Sequence, residues 1–162
     1  MAIDVLDARL LALLEDEPRL GVLECSRRLG VARGTVQARL DRLQRDGVVQ
    51  SFGPRVEPAA IGYTVSAFAT LEIRQGSGHE VAEHLAWIPQ VLEVHTITGP
   101  GDLLCRIVAR SNADLQHVID QVLGFDGIVR MSTVIAMSTP VPYRTLPLVA
   151  AAVTPPPPPS AR

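Results

Sequence analysis

Eight arginines lie between Arg19 and Arg55 (Arg19, Arg27, Arg28, Arg33, Arg39, Arg42, Arg45 and Arg55) against three acids, Glu24, Asp41 and Asp46. That stretch carries +5 inside a chain whose formal charge is -2 and whose pI is near 6.1. A local basic stripe is the electrostatic footprint of nucleic-acid binding, hidden here by the whole-chain balance. All 15 Lys-or-Arg positions are Arg, the side chain whose planar fork suits phosphate and base edges. A second candidate is Gly99-Pro100-Gly101-Asp102. Its glycines permit close backbone approach, Asp102 can accept bonds from an ammonium group, and loop N–H groups can meet a carboxylate. The competing reading is a plain turn whose Asp caps its own backbone.

Other reactive side chains point to little chemistry. His79, His84, His95 and His117 are scattered, and His79 and His84 stand five apart, a poor spacing for a shared metal. No zinc signature, phosphate-binding loop or nucleophile motif is present. Cys25 and Cys105 lack ligand spacing and read as small apolar core residues of a reducing compartment. The expectation is no enzyme, no catalytic residue, no cofactor and no metal. No apolar run approaches the ~20 residues of a membrane span, so a cytoplasmic protein without a membrane partner is expected.

The elements that position the arginines follow from apolar spacing. Ile3, Leu6, Leu10, Leu13 and Leu14 recur with helical period, and Pro18 ends that helix. A short helix spans about Val22 to Leu29 and stops at Gly30; a third begins near Ala32 and stops at Gly47. The turn Gly30-Val31-Ala32-Arg33 gives the spacing of a helix-turn-helix. In the third helix Val36, Leu40 and Leu43 face inward. Gly34, Thr35, Ala38, Asp41, Arg42 and Arg45 point away, and Arg33 and Gln37 flank. Thr35 and Ala38 are small enough to approach bases. Gln37 suits adenine, and Arg33 or Arg42 suits guanine. Arg39 holds a phosphate or a nearby acid, while Arg27, Arg28 and Arg45 are phosphate candidates that position without specifying.

From Val48 the pattern changes. Val48 to Phe52 reads as a short strand or wing, followed by a linker with Gly53, Pro54 and Pro58. Tyr63 to Arg74 alternates as a half-buried strand. A helix over about His79 to Ala86, strands at Val91–Thr98 and Leu103–Ala109, a helix headed by Ser111 or Asn112, and a strand at Gly127–Met137 follow. The order β-α-β-β-α-β is that of a ferredoxin-like domain. The expected fold class is therefore α+β. A winged helix-turn-helix domain spans 1–53, a linker 54–62, a ferredoxin-like ligand-binding and oligomerisation domain 63–148, and a disordered Pro-rich tail 149–162. Apolar residues on both faces of the strands, Val91, Leu92, Val94 and Ile97, then Val129, Met131, Val134 and Ile135, predict that the uncovered sheet face pairs with a second copy. The residues after Pro140 read as extended and able to cross to a neighbour.

This combination resembles the Lrp/AsnC family of transcription regulators over roughly residues 3–148. The carriers are Leu6-Asp7, the run from Gly30 to Leu43, Gly47-Val48-Val49, Thr98-Gly99-Pro100-Gly101-Asp102, Gly127-Ile128 and Thr133-Val134-Ile135. The resemblance implies a homodimer, often assembled to an octamer, that binds double-stranded DNA at a near-palindromic operator. It also implies an amino acid or similar small metabolite as effector, held by Thr98, Gly99, Gly101 and Asp102 with Ser132 and Thr133 as a second wall. Two departures stand out. Gly21 and Ala32 occupy helix N-caps where the family usually has Ser, and Ala is the poorer cap by ~1 kcal/mol. Gly101 stands where the family often has an aromatic residue. Two other readings of the same build are an enzyme like the sirohaem decarboxylases, and a ligand-binding oligomer module that binds no DNA.

Overall fold

The computed structural model describes residues 2–153, which form two units. The first comprises residues 2–54 together with residues 141–153; the second is Arg55–Pro140. In the first unit the helices are α1 (Val5–Asp16), α2 (Val22–Leu29), α3 (Arg33–Arg45) and α6 (Leu146–Val153). Asp4 caps α1, and its reciprocal bonds with Asp7 form a capping box. Gly30 ends α2 with φ +69°, a left-handed conformation that glycine adopts without a Cβ penalty. Leu10, Cys25, Leu29, Val36 and Leu40 build the core, flanked by Leu6, Leu13, Leu14, Leu20, Val22 and Val31. Each fully buried Leu or Val contributes ~1.5–3 kcal/mol, so this small core rests on a few large side chains.

Two expectations for this unit are corrected. Val48–Phe52 is not a strand. After Gly47, at φ +72°, the N–H groups of Val48 and Val49 both donate to the Leu43 carbonyl, at 2.9 and 3.1 Å. The backbone there closes off α3 instead of extending, and among the described residues no strand pairs with it. The chain after Pro140 is likewise not extended throughout. Leu146–Val153 is a helix that packs on α1, so these residues join the first unit and not the sheet. An unbroken run of Leu, Val and Ala favours helix, and Pro147 falls in the first turn, where its missing N–H costs nothing. The run Pro155–Pro159 lies outside the described residues.

The second unit is a four-stranded antiparallel sheet of order β2-β3-β1-β4, with β1 Val65–Ile73, β2 Val91–Thr96, β3 Leu103–Ala109 and β4 Ile128–Ile135. Helices α4 (Gly78–Ala86) and α5 (Asn112–Leu123) follow β1 and β3. Ser111 caps α5 by accepting from the Asp114 N–H at 3.1 Å. Ala67, Ala69 and Leu71 of β1 and Leu103, Cys105 and Ile107 of β3 meet Val81, Leu85, Leu115, Val118 and Val122 of the helices. The small Ala67 and Ala69 make room for the larger helix side chains.

The other sheet face is uncovered, and it is more mixed than the strand sequences predict. Cross-strand register places Phe68 opposite Arg106 and Val134, Thr70 opposite Leu104 and Ser132, and Glu72 opposite Arg130. Met131 and Ile135 instead pair with Leu71 and Ala67 on the helix side. The register shifts between Glu72 and Ile73, and Val129 falls at that irregularity. A one-residue change of register turns side chains to the opposite face, which strand alternation alone did not locate.

Both cysteines are buried and free. Burial pushes the Cys105 thiol up to about 11, and burial also raises Cys25. Neither thiol should react with an aromatic disulfide reagent at pH 8 in the folded protein, whereas both should react after denaturation in guanidinium. Rapid native labelling at Cys105 would contradict the packing of β3.

Candidate functional site

The surface of α3 is set by its three buried anchors, Val36, Leu40 and Leu43. With those inward, Arg33, Gly34, Thr35, Gln37 and Ala38 are exposed along the N-terminal half. Gly34, Thr35, Ala38, Arg39 and Arg42 line one open groove. No side chain caps the N-terminus of α3, so Thr35 does not replace the Ser absent at position 32. Instead the Thr35 and Val36 N–H groups donate to the Ala32 carbonyl at 3.0 and 3.3 Å.

The arginines divide into two classes. Arg33 and Arg45 form no ion pair among the described residues and stand on the exposed surface. Arg27, Arg28, Arg39 and Arg42 are engaged with carboxylates. Arg27 lies 3.6 Å from Glu24. Arg28 bonds Glu17 and, at 3.2 Å, Glu24; bonds to the Glu17 carboxylate, then to Glu24, raise its pKa. Both are surface pairs, worth little in water and open to exchange for another anion. Gln37 donates its amide to Asp41 at 2.8 Å, so an adenine contact requires that bond to break.

Arg39 and Arg42 are held more firmly. Arg39 Nη1 reaches Asp4 at 2.6 Å and Asp7 at 2.7 Å, and Arg42 Nη2 donates to the other Asp7 oxygen. Asp7 is completely buried. The Arg39 guanidinium holds the Asp4 carboxyl below its ordinary 3.8, with the Asp7 N–H as a further donor. For Arg39, the acid-binding alternative is the one present. Arg42, expected to point outward, lies half-buried across the α1–α3 contact with its Nε buried and unpartnered. Helical periodicity gave its direction along α3 but carried no information on the acid waiting on α1.

The second candidate lies in the other unit. Gly99 has φ +121°. Gly101 is pressed against β1: a Cβ there would stand 2.3 Å from Thr70 Cγ2 and 3.2 Å from the Leu71 carbonyl. A side chain at this position would have to displace the Thr70 methyl and crowd the Leu71 carbonyl, which favours glycine. The Asp102 N–H donates to the Leu71 carbonyl at 2.8 Å, and its carboxylate Oδ2 accepts from the Ile73 N–H at 2.8 Å. Asp102 thus caps the backbone of β1 at its irregularity and not that of its own turn, while the residue stays exposed. Ser132 shares the open face with Thr70, beneath this loop, whereas Thr133 pairs with Ala69 on the opposite face. The structure therefore brings Gly101, Asp102 and Ser132 to one region and separates Thr133 from it. Thr98 is exposed at the entrance to the loop.

The histidines do not converge. His84 stacks on Phe125 at 5.0 Å and lies 3.0 Å from the Gln121 carbonyl. His79 and His95 each lie 3.4 Å from a neighbouring glutamate. Among the described residues no three His, Cys, Asp or Glu side chains gather to hold a metal ion, and no helix is long and apolar enough to cross a membrane.

Comparison with known proteins bears on both regions. Residues 3–50 match a winged helix-turn-helix DNA-binding domain, and residues 66–146 match the Lrp/AsnC ligand binding domain. The regulator FL11 of Pyrococcus horikoshii is 27% identical over 146 residues, covering 90% of this chain and 97% of that protein. An uncharacterized HTH-type transcriptional regulator of Pyrococcus abyssi is 31% identical over 137 residues, covering 84% and 87%. The structure of Escherichia coli AsnC superposes with TM-score 0.83 at 25% identity, covering 91% of this chain and all of that one. A Neisseria meningitidis regulator solved as an L-Met complex shares the fold, with TM-score 0.81 at 23% identity, covering 91% and 97%. With a DNA-binding helix-turn-helix followed by a ligand-binding α+β sheet domain, this chain belongs to the Lrp/AsnC family of transcriptional regulators.

Proposed function

We propose that the protein is a cytoplasmic, non-enzymatic regulator. In this reading it binds a near-palindromic operator as a homodimer, and an amino acid or similar small metabolite sets its assembly or DNA affinity. The observation that carries the reading is the N-terminal half of α3. Small residues Gly34, Thr35 and Ala38 are exposed between Arg33 and the half-buried Arg39 and Arg42, a surface that admits close approach to base edges in a major groove. Arg33 and Gln37 read bases. Arg27, Arg28 and Arg45 meet phosphates, the first two by exchanging their glutamates for DNA oxygens. The names of the relatives support regulation over catalysis.

Dimerisation is assigned to the open sheet face, where Phe68 and Val134 are 37% and 63% exposed beside the half-buried Leu104. A second copy placed there would remove this apolar strip from water. Further assembly to an octamer is part of the same proposal. The effector is assigned to the loop at Gly99–Asp102 with Thr98 and Ser132; Thr133 supports the strand from behind. The L-Met bound by the Neisseria relative supports an amino acid as the class of effector.

Fluorescence anisotropy on DNA from upstream of the protein's own gene, against scrambled DNA across a salt series, tests the reading. Selective, salt-steep binding is expected; uniformly weak binding across genomic fragments and amino acids would overturn it. Arg33→Ala should cost ~1–3 kcal/mol on the selected site and relax its sequence preference. Arg45→Ala should weaken all DNAs alike and reduce the salt slope by about 0.9. Asp102→Asn keeps an acceptor for the Ile73 N–H but removes the charge facing an α-ammonium. It should abolish the amino-acid response in the same assay while sparing ligand-free binding. Val134→Arg should shift the dimer to monomer in sedimentation velocity, and an unchanged dimer would exclude the open face as the contact.

A further inference from the structure

The most unusual group outside the DNA-facing surface is Asp7, a completely buried carboxylate on α1 that grips two arginines of α3. Its oxygens accept from the Asp4 N–H at 3.0 Å, from Arg39 at 2.7 Å, and from Arg42. Arg39 is shared with Asp4 at 2.6 Å, so the second carboxylate occupies the first arginine. Arg42 has no other carboxylate partner among the described residues, yet it lines the open groove with Thr35 and Ala38. One guanidinium nitrogen is therefore fixed to the protein interior. A guanidinium carries five N–H donors in a rigid plane, so fixing one nitrogen on a buried acid orients the rest.

We propose that Asp7, which never touches DNA, is a positioning residue that sets sequence selectivity through Arg42. The inference rests on the assignment of α3 to DNA recognition. A free arginine on a helix surface samples many rotamers and attaches to whichever phosphate is near, which raises affinity for all sequences alike. Anchored by Asp7 through Nη2, and with Nε buried, Arg42 has only its terminal guanidinium N–H groups left to offer, from one direction, to the groove that it lines with the small residues. The carboxylate also cancels one positive charge at the centre of the basic surface, which suppresses indiscriminate attraction to the phosphate backbone. Selectivity is a difference of affinities, and weakening the competing state raises it as surely as strengthening the correct one.

Asp7→Asn keeps size and an acceptor but removes the charge. Binding to the selected site and to scrambled DNA, each across a salt series, gives the readout. The ratio of the two affinities should fall about tenfold, within the range of one base contact. The salt slope on scrambled DNA should steepen by about 0.9, one added phosphate contact. A merely structural role would lower the active fraction and weaken both DNAs together, with no steepening. Should Asp7→Asn fail to fold, Arg42→Lys carries the test. Its ammonium still satisfies Asp7 but has no fork, so selectivity should fall as far while the slope stays unchanged. In the Arg42→Lys background, Asp7→Asn should lower selectivity no further. Full selectivity in either folded single variant overturns the inference. Wild-type protein that shows no selectivity on any DNA overturns the recognition assignment itself, a separate outcome read in the same experiment.

Discussion

The contact on which the DNA-binding unit depends is the Asp7 carboxylate between α1 and α3. It is fully buried and bonded to Arg39 and Arg42, and it is also half of the capping box that starts α1. Helix initiation, helix–helix packing and the direction of two arginines thus share one acid. A buried ion pair is not intrinsically stabilising, because desolvation offsets the attraction. Removing one partner, however, strands the other and costs ~3–5 kcal/mol. The arrangement ties α3 to α1 alongside the apolar packing of Leu10, Val36 and Leu40. It also makes two arginines of the basic stretch part of the scaffold, whereas Arg33 and Arg45 are exposed and form no ion pair among the described residues.

Much of this was legible in the residues. Apolar spacing located α1, α2 and α3, and Val36, Leu40 and Leu43 are the buried residues of α3. Period-two alternation located β1, with Ala67, Ala69 and Leu71 inward. Local turn chemistry at Gly30 and Ser111 marked helix ends correctly. What escaped was set by partners distant in sequence. Asp7 and Arg42 are 35 residues apart. The shift between Glu72 and Ile73 depends on β4. Val48–Phe52 has strand-like residues but no strand beside it. Leu146–Val153 has a composition that suits a helix, but its packing partner, α1, lies far away in sequence.

The loop at Gly101 illustrates how one position serves fold and chemistry together. Its missing side chain lets the backbone close on Thr70, which places Asp102 where its N–H and its carboxylate both bond to β1. The loop is thus stitched to the central strand and not left as a free hairpin tip. One Asp102 oxygen is committed to that stitch, so any ligand bound there competes for or adds to a group that already carries a structural task. Ser132, reached across Thr70 from the next strand, is a neighbouring side chain whose hydroxyl makes no hydrogen bond among the described residues.

The packing of α6 on α1 bears on how the chain is made. During synthesis α1, α2 and α3 precede the sheet unit, with the flank of α1 that α6 will cover still bare. The sheet unit must be translated in full before Leu146–Val153 arrives to close that flank. The sheet unit is in effect an insertion within the other. A fragment cut after Pro54 would keep α1, α2 and α3 but lack this covering helix, so excising the DNA-binding unit cleanly requires supplying α6 as well.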